Sequence, residues 1–293
     1  MRAVAIGGGH GTAVSLRALR RLTSDVTGVV SVADDGGSTG RLRALLSVPA
    51  VGDLRKCLGA LADAHNPVAE SFEHRFSVGE LAGHTVGNLL LVGLIDATGD
   101  LEGAISAVAE VLGVTGRILP ATRERVVLCA STDAGPARGQ TEVHRQHAIR
   151  RVVLDPPHPP APIAAVEAIE RADVVLVGPG SLYTSVLAAA VVPGVAQALA
   201  GSRATRIYVA NLRPEDPETA GYSLQDHVDA LETHGVAPDV VLVDLHSPLG
   251  QDRCSLPTVR ARLSGRNPYV HRVQDLARAV GRIVEADGRK GVG

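Results

Sequence analysis

The first apolar run, residues 3–6, breaks into glycines at 7–11, and residues 12–22 then carry Val14, Leu16, Ala18, Leu19 and Leu22 largely on one helical face. Residues 26–33 are almost continuously apolar, the pattern of a parallel strand covered on both faces. Strand, glycine turn, helix and strand form a βαβ opening. The stretch 41–113 is mostly helical in pattern, most clearly over 54–64, 85–97 and 101–112. Residues 125–130, 137–144 and 149–154 then read as three strands joined by turn residues such as Asp133-Ala134-Gly135-Pro136, and a turn-forming run follows at 155–162. Helix and strand alternate again afterwards: a helix at 165–172, strands at 174–177, 207–210 and 240–243, and a terminal helix at 273–286. The pattern predicts an α/β fold with a doubly wound, mostly parallel, Rossmann-like sheet and helices on both faces. A single domain over 1–293 is expected, with a small β-rich insertion at 123–155.

Composition narrows this picture. With 45% hydrophobic and 20% charged residues among 293, the chain can bury a core of its own and does not read as disordered. A net charge of -2 exerts no long-range pull on nucleic acid or an anionic membrane, so neither is an expected partner. Cys57, Cys129 and Cys254 are widely spaced and odd in number, which suggests neither a disulfide framework nor a zinc site and points to a reducing cytoplasm. No apolar run approaches the roughly 20 residues of a membrane span. The N-terminus enters its glycines before a signal-peptide core forms, so the protein is expected to be neither secreted nor membrane-spanning.

Three loops carry candidate chemistry. Gly7-Gly8-Gly9-His10-Gly11-Thr12 joins a strand to a helix, where small residues let backbone N–H groups and the positive helix end approach a phosphate. Thr12 stands where a full G-x-G-x-x-G would have its third glycine, and a plain tight turn is the alternative. Asp34-Asp35-Gly36-Gly37-Ser38-Thr39-Gly40-Arg41 follows the second strand. Its carboxylates suit a ribose, a phosphate-bound Mg²⁺ or an attacking hydroxyl, and a solvated helix cap is the alternative. Gly178-Pro179-Gly180-Ser181-Leu182-Tyr183-Thr184-Ser185 repeats the strand-to-helix arrangement and adds hydroxyls as donors to phosphate oxygens, unless Ser181 merely caps the helix. Asn211, Asp244 and His246 also follow predicted strands, and in open α/β sheets such strand ends converge on the ligand crevice. His84 precedes an apolar helix, where a structural role is the more ordinary one. Arg41, Arg43 and Arg55 are phosphate partners or solvated helix faces. No nucleophile elbow and no histidine cluster with metal spacing is present, so the residues favour a binding protein over a catalyst.

Taken in order, the motifs are Ala5-Ile6-Gly7-Gly8-Gly9-His10-Gly11, the run from Val32 through Asp34-Asp35-Gly36-Gly37-Ser38 to Arg43, Gly52-Asp53-Leu54-Arg55, Gly83-His84-Thr85-Val86-Gly87-Asn88, Leu119-Pro120-Ala121-Thr122 and Gly178 to Ser185. This series closely resembles the YvcK-type gluconeogenesis factors of the CofD-like superfamily over residues 3–235. The resemblance implies a Rossmann-like fold that binds UDP-sugars, chiefly UDP-N-acetylglucosamine, with NADP as an alternative ligand. It also implies a cytoplasmic regulator that adjusts peptidoglycan precursor supply and cell shape on gluconeogenic carbon, a partner enzyme of cell-wall precursor metabolism, and a homo-oligomer. Ligand contacts are expected from Gly7, Gly8, Gly9, His10, Gly11, Thr12, Asp34, Asp35, Gly36, Ser38, Gly87, Asn88, Gly178, Gly180, Ser181, Tyr183, Thr184, Asn211 and Tyr222, with Asp34 and Asp35 as candidate Mg²⁺ ligands. The alternative is the superfamily's enzyme branch, 2-phospho-L-lactate transferase, which moves a phospholactyl group from a nucleotide diphosphate carrier to a flavin-like alcohol. The 2% aromatic content, without tryptophan, mildly disfavours a flavin-like acceptor. The chain departs from the family pattern at His10, where threonine is usual, at Lys56, where asparagine is common, and at Ala188-Ala189, where a Pro-Asn pair is usual.

Overall fold

A computed structural model of the chain describes residues 1–290. The first half runs β1 (Ala3–Gly7), α1 (Gly9–Arg20), β2 (Val26–Val30), α2 (Gly37–Leu45), α3 (Gly52–Leu61), α4 (Pro67–Glu73), α5 (Val86–Thr98), α6 (Leu101–Val111) and β3 (Arg117–Pro120). It continues with β4 (Val127–Thr132), β5 (Gly135–Arg138), α7 (Gln140–His144), β6 (Ile149–Asp155), α8 (Ile163–Glu170) and β7 (Val174–Val177). A π-helical stretch, Leu182–Leu187, leads into α9 (Ala188–Ala190), then α10 (Pro193–Gly201), β8 (Thr205–Val209), α11 (Leu224–Thr233), β9 (Val240–Asp244), β10 (Thr258–Ala261) and α12 (Val273–Lys290).

Seven strands form one sheet in the order β10-β9-β8-β7-β1-β2-β3, and every neighbouring pair is parallel. The chain builds outward from β1 toward β3, then returns to the other side of β1 and builds outward from β7 toward β10. Right-handed crossovers running in opposite directions put the connecting helices of the two halves on opposite faces, and the terminal α12 returns to pack on α1. Both faces of the central strands are therefore covered, and every residue of β1, β2 and β7 is buried. On one face α1 packs against α3 and α12, while α8 packs against α10. Leu16 of α1 reaches β2 directly, because Gly28 presents no side chain to hold it off.

The β-rich segment is a separate antiparallel sheet in the order β5-β4-β6. One expectation needs correction here: residues 137–144 are not a continuous strand. β5 ends at Arg138, Gly139 turns the chain with φ +99°, and α7 follows. That φ lies in a region that residues with a Cβ rarely adopt, so the glycine enforces the break. Thr141 in the first turn of α7 then donates to the Asp35 carboxylate from both its N–H (2.9 Å) and its hydroxyl (2.7 Å), which fixes the small sheet to the large one. Among the described residues no single helix is long and apolar enough to cross a membrane.

Candidate functional site

Beside the switch point, where Ile6 of β1 pairs with Val177 of β7, a cavity of about 760 Å³ opens. Parallel sheets bind ligands at such points because neighbouring crossovers leave in opposite directions and open a crevice.

The glycine turn after β1 forms one wall. Gly9, His10 and Gly11 are the first helical turn of α1, not a loop ahead of it. Gly8 at the N-cap position supplies no side-chain acceptor and the first turn holds no acidic residue, so the helix-start N–H groups keep their anion-binding capacity. Gly8, Gly9, His10 and Gly11 all line the cavity. Lys56 of α3 adds a formal charge: its Nζ is 3.0 Å from Asp53 Oδ1 and 3.9 Å from where a Cβ on Gly9 would stand. Burial, with Lys56 next in effect, holds the His10 imidazole below its ordinary pKa. Thr12 is fully buried and donates its hydroxyl to the Gly8 carbonyl (3.1 Å), so it shapes the turn from beneath. Gly7 ends β1 and does not line the cavity.

Gly178-Pro179-Gly180-Ser181 touches this turn. A Cβ on Gly11 would collide with the Pro179 carbonyl, and the Ser15 hydroxyl donates to the Gly178 carbonyl at 2.6 Å. Most donors of this second loop are engaged within the protein, while Ser185 lines the cavity. Asn211 clamps Gly180 at both ends, accepting from its N–H (2.9 Å) and donating to its carbonyl (3.0 Å). The Ser181 hydroxyl donates to Glu215 (2.9 Å). Fully buried Glu218 accepts from the Tyr183 N–H (2.6 Å), the Thr184 N–H (3.3 Å) and the Thr184 hydroxyl (2.7 Å), and its Oε2 also lies 2.9 Å from His144 Nδ1. That contact with Glu218 holds the His144 imidazole above its ordinary pKa. The anion seat at the start of the π-helical stretch is thus filled by the protein's own carboxylate.

The two adjacent aspartates part company. Asp34 lines the cavity and accepts the Gly36 N–H at 2.9 Å, while burial and the nearby Asp53 carboxylate push its pKa up. Asp35 turns to Thr141 of α7. The carboxylate paired with Asp34 at the cavity is therefore Asp53, not Asp35. No group of three or more histidine, cysteine, aspartate or glutamate side chains with metal-holding geometry occurs among the described residues.

Several expected contacts lie elsewhere. Ser38, His84 and Asn88 form a buried cluster, with Ser38 Oγ 2.9 Å from His84 Nδ1 and 3.0 Å from Asn88 Nδ2, but none lines the cavity. Gly87 abuts the Phe72 ring. The Tyr183 hydroxyl lies 3.0 Å from both the Ile149 carbonyl and the Tyr222 hydroxyl, and neither tyrosine is on the cavity wall. Arg41 donates to the Ala82 carbonyl, Arg43 to those of Asp34 and Val126, and Arg55 pairs with Glu73. Asp244 accepts from His246, Leu263 and Ser264, stitching loops together away from the cavity.

Residues 3–275 match the family described as 2-phospho-L-lactate transferase CofD. The chain belongs to this family. It is 40% identical over 245 residues to a protein of Halalkalibacterium halodurans named gluconeogenesis factor, covering 82% of this chain and 76% of that one. A Bacillus subtilis protein of the same name is 40% identical over 231 residues, covering 78% and 73%. A Nostoc sp. relative is 43% identical over 254 residues, which are 85% of this chain but only 56% of the relative, so the chain spans little more than half of that protein. A solved Bacillus halodurans structure superimposes with a TM-score of 0.88 at 34% identity, covering 95% of this chain and 98% of that one.

On this CofD-family frame, the cavity wall also holds residues that sequence reasoning passed over. Arg213, Glu215 and Asp216 follow β8 on the same loop as Asn211, and applying the strand-end rule to the whole loop finds them. Gln140, Thr141 and His144 come from α7, where a strand was expected. Tyr269 is exposed at the cavity with the Arg213 guanidinium 5.1 Å from its ring centre. It follows no strand of the sheet, and no local pattern marks it.

Proposed function

We propose that the chain is a gluconeogenesis factor that works in the cytoplasm by binding a nucleotide sugar, UDP-N-acetylglucosamine foremost, in the cavity beside β1 and β7. The observation that carries this reading is the uncapped start of α1, with Lys56 alongside it, opening into a space of about 760 Å³. A diphosphate fits the N–H groups of Gly9 to Gly11 and the Lys56 ammonium. Tyr269, backed by Arg213, offers a face on which a base can stack. Peptidoglycan precursor supply and cell shape would respond through a partner enzyme of cell-wall metabolism that recognises the ligand-bound conformation. Such control requires that the ligand bind one conformation more tightly than the other. NADP is the alternative ligand, and association into a homo-oligomer is part of the same proposal.

A second reading is favoured by one observation, the Asp34–Asp53 pair on the cavity wall. Two carboxylates pressed together in a partly buried site suit a divalent cation, and Asp34 with Asp53 fits Mg²⁺ better than Asp34 with Asp35, whose carboxylate is engaged by Thr141. Bound Mg²⁺ would neutralise a diphosphate. The chain would then act as a transferase of the kind the family is named for, passing a phospholactyl-type group to an alcohol.

Thermal unfolding against UDP-N-acetylglucosamine, UDP-glucose, NADP and GTP, each with and without Mg²⁺, separates the two. A ligand at 100 times its Kd adds about 2.7 kcal/mol, a shift of a few degrees for a chain of this size. Stabilisation by UDP-sugars supports the first reading, stabilisation confined to GTP with Mg²⁺ supports the second, and no shift with any of them defeats both.

A further inference from the structure

The cavity lining combines donors suited to phosphate with carboxylates, and one of those carboxylates has an oxygen to spare. On the α1 side the helix-start N–H groups and the Lys56 ammonium are donors, with the Asp53 carboxylate 3.0 Å from Lys56 Nζ beside them. On the loop that touches this turn the Ser181 hydroxyl points its proton at Glu215 Oε1, 2.9 Å away, so this pair offers the cavity mainly acceptor lone pairs. The second oxygen of Glu215 has no hydrogen-bond partner among the described residues and is not among the atoms sealed from solvent without one. Its backbone is held on both sides by Thr219, whose N–H donates to the Glu215 carbonyl (2.6 Å) and whose Oγ1 accepts the Glu215 N–H (2.8 Å). Glu218 behind it already holds four donors and is fully buried, which leaves Glu215, held in place by Ser181 and Thr219, and the exposed Asp216 to meet a ligand from this loop. Burial and the Glu218 carboxylate hold the Glu215 pKa above its ordinary value, which marks a carboxylate short of donors.

A fixed carboxylate of this kind repels phosphate and welcomes hydroxyl groups. We propose that Glu215 is the specificity-determining residue of the cavity, accepting hydrogen bonds from a vicinal pair of sugar hydroxyls while the phosphates lie against α1. The inference rests on the nucleotide-sugar reading and adds to it the direction in which the ligand lies.

Calorimetric titration of wild type, Glu215→Gln and Glu215→Ala with pyrophosphate, UDP and UDP-N-acetylglucosamine tests it. Both substitutions leave the Thr219 contacts to the backbone in place, and the glutamine oxygen can still accept from Ser181. Affinity for the sugar-bearing ligand is expected to fall about 10- to 100-fold, the effect of losing hydrogen bonds to a charged group, with pyrophosphate affinity unchanged or higher. A loss shared by UDP and UDP-N-acetylglucosamine places ribose hydroxyls at Glu215, and a loss confined to UDP-N-acetylglucosamine places the hexose there. Equal weakening of all three ligands, or none, overturns the role of Glu215 and leaves the nucleotide-sugar reading standing. Wild type that binds neither UDP nor UDP-N-acetylglucosamine overturns that reading and this inference together.

Discussion

Glu218 accepts the backbone N–H of Tyr183 at 2.6 Å, so a side chain from the loop after β8 caps the π-helical stretch after β7. The same carboxylate takes the Thr184 N–H and hydroxyl and meets His144 of α7. Three segments distant in sequence are thereby joined at one fully buried group. No side chain caps the start of α1, and the Asp53 carboxylate beside it is paired with Lys56. Two glycine loops of like sequence therefore differ: the helix start of one is capped by Glu218, and that of the other has no side-chain cap.

Glu218→Ala should cost about 3–5 kcal/mol of stability, because buried N–H donors and a hydroxyl lose their acceptor together. Glu218→Gln should cost less, since its amide oxygen still accepts from the backbone. Urea unfolding of the two variants checks this, and an alanine variant within about 1 kcal/mol of wild type would show that other groups satisfy the helix start.

The hydrophobic pattern made the central strands legible, since β1, β2, β7, β8 and β9 are apolar runs that a doubly covered parallel sheet explains, while the switch point appears only in the strand order. Edge strands β3 and β10 escaped notice because four residues that include arginine, and in β3 a proline, carry too little periodicity. The α1 turn and Asp34 were found because their chemistry is local to a glycine loop. Glu218 and Asp53 were not, because their importance lies in which distant groups they meet. Asp35 was paired with Asp34 by adjacency, yet neighbours in an extended loop point different ways, and only the placement of α7 shows where Asp35 goes.

Gly11 lies where α1 and Pro179 touch, and a methyl group there would drive into a backbone carbonyl that cannot rotate away. Gly11→Ala should therefore destabilise the fold by about 1–3 kcal/mol, the usual range for overpacking, and should weaken nucleotide binding by prising the two loops apart. Gly93→Ala is a fitting control, because a Cβ there meets nothing within 4 Å. Equal stability of the two variants by urea unfolding would refute the contact.

If a divalent cation joins the ligand at the cavity, Asp34 and Asp53 should respond differently from Asp35. Asp34→Asn and Asp53→Asn should abolish any Mg²⁺-dependent part of a nucleotide's thermal shift, because both carboxylates line the cavity. Asp35→Asn should leave that part intact and lower the basal midpoint by a few degrees, through weakening of the cap on α7, typically about 1 kcal/mol. Loss of the Mg²⁺ effect in Asp34→Asn and Asp35→Asn, with Asp53→Asn retaining it, would restore the adjacent pair as the metal ligands.

His271 sits buried at the cavity floor with Nε2 3.2 Å from the Ala210 carbonyl, and burial lowers its pKa to about 4 despite that hydrogen bond and the nearby Asp244 carboxylate. An unfolded histidine titrates near pH 6.5, so between pH 6.5 and 4 the unfolded chain binds more protons. Stability from this group is then complete above about pH 6.5 and falls as pH drops toward 4, by about 3 kcal/mol in all. Buried His227 and His234 are shifted down as well and act in the same direction. His144, raised by Glu218, and Asp34, raised by burial, act against it. His271→Gln keeps an N–H for Ala210 and removes the proton. Its stability, measured by urea unfolding at pH 7, 6 and 5, should fall less steeply than that of wild type, by up to about 1.4 kcal/mol per pH unit. Identical slopes would mean that His271 takes up its proton in the folded protein as readily as in the unfolded one.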